Sequence, residues 1–172
     1  MYLIRTKTKN KETKTKVEFE KVAEDLLLVS VDYDVSDQSR VFSYWRLLGT
    51  GGNPPLEIGV NKKNKTIKSI TAFIDNDCFE NVNIERINIL SGNISVDTEI
   101  FKKDNDYFDI EGKYLITLST NNMICIFNEN NNIKEAVGNN RISLFLNDNN
   151  ELCGFNIYDL NEDEMEIIKS IQ

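Results

Sequence analysis

Apolar and polar residues alternate with a period of two along most of this chain, the signature of half-buried strands. VEFEKV at 17–22 alternates throughout. LLLVSVDYDV at 26–35 begins apolar on both faces and then turns polar on one, as a strand leaving a core does. VFSYWRLL at 41–48 is rich in aromatic and branched residues. LEIGVNKKNKTIKSITAFI at 56–74 reads as strand, polar turn, strand, and ISLFLNDNNELCGFNIYDL at 142–160 repeats the pattern about 85 positions later. Ile58 and Val60 match Leu144 and Leu146, and Ile67, Ile70 and Ala72 match Leu152, Phe155 and Ile157. A very apolar strand precedes each hairpin, DLLLVSVDY at 25–33 and KYLITLST at 113–120. Two related halves, 17–80 and 100–172, are therefore expected inside a single domain, 1–172.

The remaining pattern is less regular. Residues 82–90 and 94–101 read as a further hairpin around Ser91-Gly92-Asn93. YFDI at 107–110 and MICIFNE at 123–129 read as strands, and NENNNIKEAVGNN at 128–140 as a loop or one helical turn. One helix is expected, at the C-terminal end. Asn161 is a good N-cap, Glu164 stands where a capping box needs it, and Leu160 and Met165 occupy staple positions. Glu162, Asp163 and Glu164 suit the positive end of the helix dipole. Met165, Ile168 and Ile171 form the apolar stripe. The fold class that follows is α+β, predominantly antiparallel β sheet of roughly ten strands, closed by a C-terminal helix.

The charge balance narrows the partners. The formal charge is −8, yet residues 1–16 carry six Lys/Arg and one Glu, so the remaining residues sum to −13. An acidic body repels nucleic acid and anionic membrane surfaces and attracts basic proteins. The basic stretch RTKTKNKETKTK has no interleaved aromatics and reads as a solvated edge or terminus. No run approaches the length of a membrane span, and MYLIRTKTK has no apolar stretch after its charges, so a cytoplasmic location is expected. Abundant Asn and Ile, 23 and 20 residues, point to an AT-rich bacterial origin.

The chain has no histidine, which excludes histidine-based triads, dyads, metal sites and acid–base catalysis. Cys78, Cys125 and Cys153 are odd in number and form no CxxC pair. Cys125, between Ile124 and Ile126, reads as a core filler. The acidic pairs Asp32/Asp34, Asp75/Asp77 and Asp104/Asp106 lack the glycine of a calcium loop and read as turn formers. Gly49–Pro55 lacks the ending of a phosphate loop and is read as a connection. No cofactor, metal or catalytic residue is expected. VFSYWRLL, running into that connection, carries the only Trp, and Trp, Tyr and Arg most often anchor interfaces. The candidate partner-binding residues are Asp32, Asp34 and Asp37, with Tyr44, Trp45 and Arg46. Their two segments are expected to pair, being joined by a short connection. Trp45 takes one face of its strand and Tyr44 and Arg46 the other.

The segment PLEIGVNKKNKTIKSITAFI resembles a hairpin of small bacterial immunity proteins from polymorphic toxin systems, and NDNNELCGFNIYDL followed by an acidic helix has a similar character. The resemblance spans residues 55–75 and 142–170. It implies an acidic, cytosolic, non-enzymatic inhibitor of a toxin, often a basic nuclease. No contact residue carries over, because none matches residue by residue. Two other classes stand beside it: a scaffold subunit that self-associates through a sheet edge or the VFSYWRLL strand, and a carboxylate-based enzyme.

Overall fold

The computed structural model of the chain describes residues 3–5, 14–33, 42–49, 55–82, 84, 87–92, 94–127, 132–139 and 141–172. Fourteen strands and one helix are seen among them: β1 (Leu3–Arg5), β2 (Thr15–Ala23), β3 (Leu26–Tyr33), β4 (Ser43–Leu48), β5 (Leu56–Asn61), β6 (Thr66–Asp75), β7 (Ile89–Ser91), β8 (Ile94–Val96), β9 (Tyr107–Glu111), β10 (Tyr114–Leu118), β11 (Met123–Phe127), β12 (Ile133–Asn139), β13 (Ile142–Asn147), β14 (Leu152–Ile157) and α1 (Glu162–Lys169).

The strands form two sheets. The first runs β2-β3-β6-β5-β4-β9, with β8 joined to β6 at Thr66–Ser95 and β1 paired to β8. The second runs β10-β11-β14-β13-β12-β7. The orders are the same: a hairpin, a second hairpin inserted in reverse, the intervening strand, then a parallel outer strand. The registers agree as well. Val29 faces Ala72 and Val31 faces Ile70 in the first sheet, where Met123 faces Ile157 and Cys125 faces Phe155 in the second. Each central hairpin carries one bulge, at Gly59/Val60 and at Phe145/Leu146, and the extra residue, Lys68 or Cys153, occupies the corresponding position. The similarity seen in the sequence is therefore carried by pairing and bulge alike. Neither half supplies its own outer strand. The matching strand sets are β2–β6 and β10–β14, so the second begins at Tyr114 and not at residue 100, and β9 and β7 both come from the segment between them.

Inner faces of the two sheets meet in one core. Leu27, Val29, Trp45, Ile58, Ile70 and Ile74 come from the first, and Met123, Cys125, Phe127, Leu144, Phe155 and Ile157 from the second. The Trp45 and Phe127 rings stack at 5.8 Å, and the Tyr114 hydroxyl donates to the Phe73 carbonyl. A smaller cluster of Ile126, Ala136, Phe145 and Cys153 covers the outer face of the second sheet, where Ile84 and Ile87 of the inter-half segment pack on it.

α1 has the expected capping box. Asn161 Oδ1 accepts from the Glu164 amide, and Glu164 Oε2 accepts from the Asn161 amide, both at 2.9 Å. Arg141 grips the same carboxylate in a fork of 2.8 and 3.1 Å, fixing the helix to the start of β13. Ile168 and Ile171 are buried in the main core, and Lys21 of β2 donates to the Ser170 carbonyl at 3.0 Å. The helix thus closes the end of the sandwich.

Three expectations are corrected. β3 and β4, the described parts of segments 26–35 and 41–48, do not pair, because β6 and β5 lie between them; β3 pairs with β2 and β6, and β4 with β5 and β9. β7 and β8 do not form a hairpin either, since β7 joins the second sheet and β8 the first. Residues 133–139, read as a loop or helical turn, form β12, where strand pairing to β13 overrides weak local propensity.

All three cysteines are free and buried. Burial pushes the thiols of Cys78 and Cys153 up to about 12 and raises that of Cys125; it also raises the Tyr33 and Tyr114 phenols. The folded state therefore holds protons that the unfolded chain releases at about pH 8.5 for Cys and about pH 10 for Tyr. Their contribution is fully present below the unfolded values and is lost as pH rises toward the folded ones. Urea midpoints should be level in this respect from pH 7 to about 8.5 and fall steadily above. A midpoint unchanged up to about pH 10.5 would contradict this reading.

Candidate functional site

The outer face of the first sheet differs from that of the second. None of its outward side chains belongs to a buried cluster among the described residues. Two rows cross it, set by strand register. One runs Glu18, Ser30, Thr71, Glu57, Arg46, Asp109. The next runs Lys16, Asp32, Ser69, Gly59, Tyr44, Tyr107.

The rows end in a tightly organised group on β4 and β9. Tyr44 and Tyr107 stack at 5.5 Å with planes 15° apart. Phe42 meets Tyr44 edge-on at 6.3 Å. The Arg46 guanidinium lies 4.4 Å from the centre of the Tyr107 ring and forms a fork to Asp109, 2.7 and 2.8 Å. Glu57 stands 3.8 Å from the same guanidinium. Gly59 makes room for this group. A Cβ there would lie 2.3 Å from Ser69 Oγ and 3.4 Å from the Tyr44 ring, so the ring leans over bare backbone.

The electrostatics follow from these contacts. The hydrogen bond from Arg46 holds Asp109 below the usual carboxylate range, and the same bond raises the guanidinium. Burial raises the Tyr44 phenol, with Tyr107 and Glu57 adding to the effect. Tyr44 therefore presents a neutral ring and hydroxyl. The fork holds Arg46 and Asp109 in one geometry, which fixes the ring beside them. Such a group is a preorganised aromatic platform with a charged rim. It holds no nucleophile activated by a base.

The sequence candidates separate on this frame. Asp32, Tyr44 and Arg46 share the outer face, and Asp32 and Tyr44 lie in one row three strands apart, about 14 Å at normal strand spacing. Asp32 is exposed. Trp45 points inward and is 4% exposed, so it belongs to the core with Phe127 and offers a partner no surface. Asp34 and Asp37 lie outside the described residues. Tyr107, Asp109 and Glu57 were missed. YFDI is legible as a strand, but nothing local says that it lies parallel to β4, sixty-three residues earlier. The one available sign was an aromatic and an acid sharing the polar face of that strand.

Other acidic pairs are accounted for locally. Asp75 Oδ1 accepts from the Cys78 amide and thiol, both at 3.2 Å, and closes the turn after β6. Asp106 accepts from the Lys102 amide at 2.8 Å, and Asp104 lies 3.7 Å from Lys62. Among the described residues no three His, Cys, Asp or Glu side chains gather as a metal-ion cluster. A shallow depression of about 650 Å³ beside α1 has Leu160 and Met165 as its floor and Glu162, Glu166 and Lys169 at its rim. Among the described residues no helix is long and apolar enough to cross a membrane.

No protein-family model matches the chain, and no curated protein matches it.

Proposed function

We propose that this chain is a binding protein without catalytic activity, and that it acts as an immunity-type inhibitor, holding a basic toxin through the outer face of its first sheet. The observation that carries the reading is the open face itself. Its exposed or half-buried side chains include six carboxylates, Glu18, Glu20, Asp32, Glu57, Asp109 and Glu111, against two cations, Lys16 and Arg46. The aromatic platform lies at one end of that acidic field. Acidic side chains speed association with a basic protein, and a rigid Tyr pair with an Arg is the composition of a binding hot spot. The absence of histidine and the location of the thiols in the core support a non-catalytic role.

The first test is genetic. A toxin encoded beside this gene should be neutralised on co-expression, and the two proteins should form a complex. Binding should weaken steeply between low and high salt. Substituting Tyr107 or Tyr44 with Ala should cost about 2 kcal/mol of affinity, mostly as faster dissociation. Asp32→Asn, with Asp34→Asn and Asp37→Asn, should slow association. A toxin held equally by all these variants, at every salt concentration, places the interface elsewhere. Turnover in a hydrolase or transferase screen, lost on removing one carboxylate, would favour the enzymatic alternative. Light scattering that gives a stable oligomer with no toxin partner would favour the scaffold.

A further inference from the structure

We propose that the partner enters as an extended basic segment that adds to the free edge of β9, forming one more strand of the first sheet. The inference rests on the reading of this chain as a binder of a basic protein, and it names the form and chemistry of the bound segment.

The backbone supplies the first argument. β9 is the last strand of the first sheet and, among the described residues, pairs with β4 alone. The Tyr44 amide donates to the Asp106 carbonyl and the Gly112 amide to the Leu48 carbonyl. Parallel pairing then directs the amides and carbonyls of Phe108 and Ile110 toward β4, and those of Tyr107, Asp109 and Glu111 outward. These three residues also place their side chains on the outer face, where all are exposed. Each therefore offers a backbone donor, a backbone acceptor and a side chain to the same incoming strand.

The side chains supply the second. Along the edge they read aromatic, acid, acid, at the two-residue spacing of a strand. The Tyr107 ring has Tyr44 stacked on it and the Arg46 guanidinium 4.4 Å from its centre, and the residue is still 56% exposed. An incoming Lys or Arg can lay its aliphatic stem against the open part of the ring, with its charge toward the neighbouring acids. Asp109 and Glu111 would face the next two outward residues of the bound strand. Alternating basic residues on one side of the segment are what this edge selects.

Charge also decides against the other occupant. A second copy of this chain would bring β9 against β9, placing Asp109 and Glu111 opposite like charges. The β2 edge is a weaker candidate. Its outward residues are mixed in sign, Lys16 with Glu18 and Glu20, and α1 is tied to it through Lys21 and Ser170. β7, at the edge of the second sheet, has only three residues and no acid.

The test uses the full chain and three synthetic peptides measured by titration calorimetry. The first alternates lysine with threonine. The second has the same sequence, N-methylated at the amides on its pairing side. The third alternates glutamate with threonine. The first peptide should bind, the second at least about tenfold more weakly, and the third not at all. Glu111→Pro removes an outward amide and leaves the pairing to β4 intact; it should weaken the first peptide far more than Glu111→Gln does. Circular dichroism checks that both variants fold. Equal binding of the N-methylated and parent peptides overturns strand addition while leaving attraction to a basic protein standing. Failure of the lysine peptide to bind the folded chain overturns the proposal, as does a concentration-dependent dimer that Glu111→Pro dissolves. Loss of the proposed function has a different sign: the toxin of the preceding test fails to bind at all.

Discussion

A chain ending at Asp159 should not hold the native fold at ambient temperature. The deletion removes Leu160, Ile168 and Ile171, which are 6%, 0% and 4% exposed and all part of the main core. Burying an aliphatic side chain of this size contributes about 1.5–3 kcal/mol, so the loss of three is about 4.5–9 kcal/mol before strain is counted. A domain's whole stability is about 5–15 kcal/mol. Arg141 would also lose the carboxylate that accepts its fork. The expected readout is exposure of Trp45, followed by its fluorescence, and binding of a hydrophobic dye at room temperature. Ile168→Ala is the graded version and should cost about 2–5 kcal/mol. Cooperative melting of the truncated chain at the full-length temperature would show that α1 is an accessory.

The second large effect is expected at Gly154. A Cβ there would lie 2.2 Å from the Cys125 carbonyl oxygen, 3.2 Å from Ile126 Cα and 3.2 Å from the Phe145 ring. The first two are backbone atoms of a central strand, so relief requires β11 and β14 to separate. Gly154→Ala should cost about 3 kcal/mol or more, at the upper end of what overpacking does. Gly59 is the control. Its nearest neighbour is the Ser69 hydroxyl at 2.3 Å, which can rotate away, so Gly59→Ala should cost about 1 kcal/mol and disturb Tyr44. Urea midpoints of the two variants decide it. If Gly154→Ala proves as mild as Gly59→Ala, the close approach of β11 and β14 is looser than described.

These two glycines also illustrate what the two similar sheets share. Gly59 faces Ser69 in the first sheet, and Phe145 faces Gly154 at the corresponding pair of the second. Each bulge has one bare backbone position, on opposite strands, with an aromatic ring leaning over it. Physics asks for the vacancy beside the bulge and is indifferent to which strand provides it. Sequence comparison misses such an exchange, because neither position is matched by a similar residue.

Local pattern made the two central hairpins and the capped helix legible. Their determinants lie within about a dozen residues: alternation, a polar turn, an N-cap with its partner three positions on. Long-range pairing was not legible. Ile89 to Ser91 reads as half of a hairpin until β12 offers it a parallel edge. Tyr107 and Asp109 reveal a role only when β9 brings them beside Tyr44 and Arg46. Half of the candidate site was readable for the same reason. Tyr44 and Arg46 stood out by composition and alternation. Trp45 stood out by composition too, and its inward face follows from which side of β4 meets Phe127.

The origin of β7 and β9 outside the repeats bears on how this protein is made. The first half is complete at Asp75, yet its sheet lacks an outer strand and a facing sheet until much of the stretch from Asn76 to Gln172, 97 residues, has been synthesised. At about 5–20 residues per second that interval is on the order of 5–20 s. Throughout it, Leu27, Val29, Ile58, Ile70 and Ile74 face water as an apolar sheet with no cover. A nascent chain stalled near residue 100 should therefore be held by chaperones and be sensitive to protease, and it should become resistant only when both β14 and α1 have left the ribosome. The two similar halves do not ripen one after the other; vectorial synthesis delivers them to a single, late folding event.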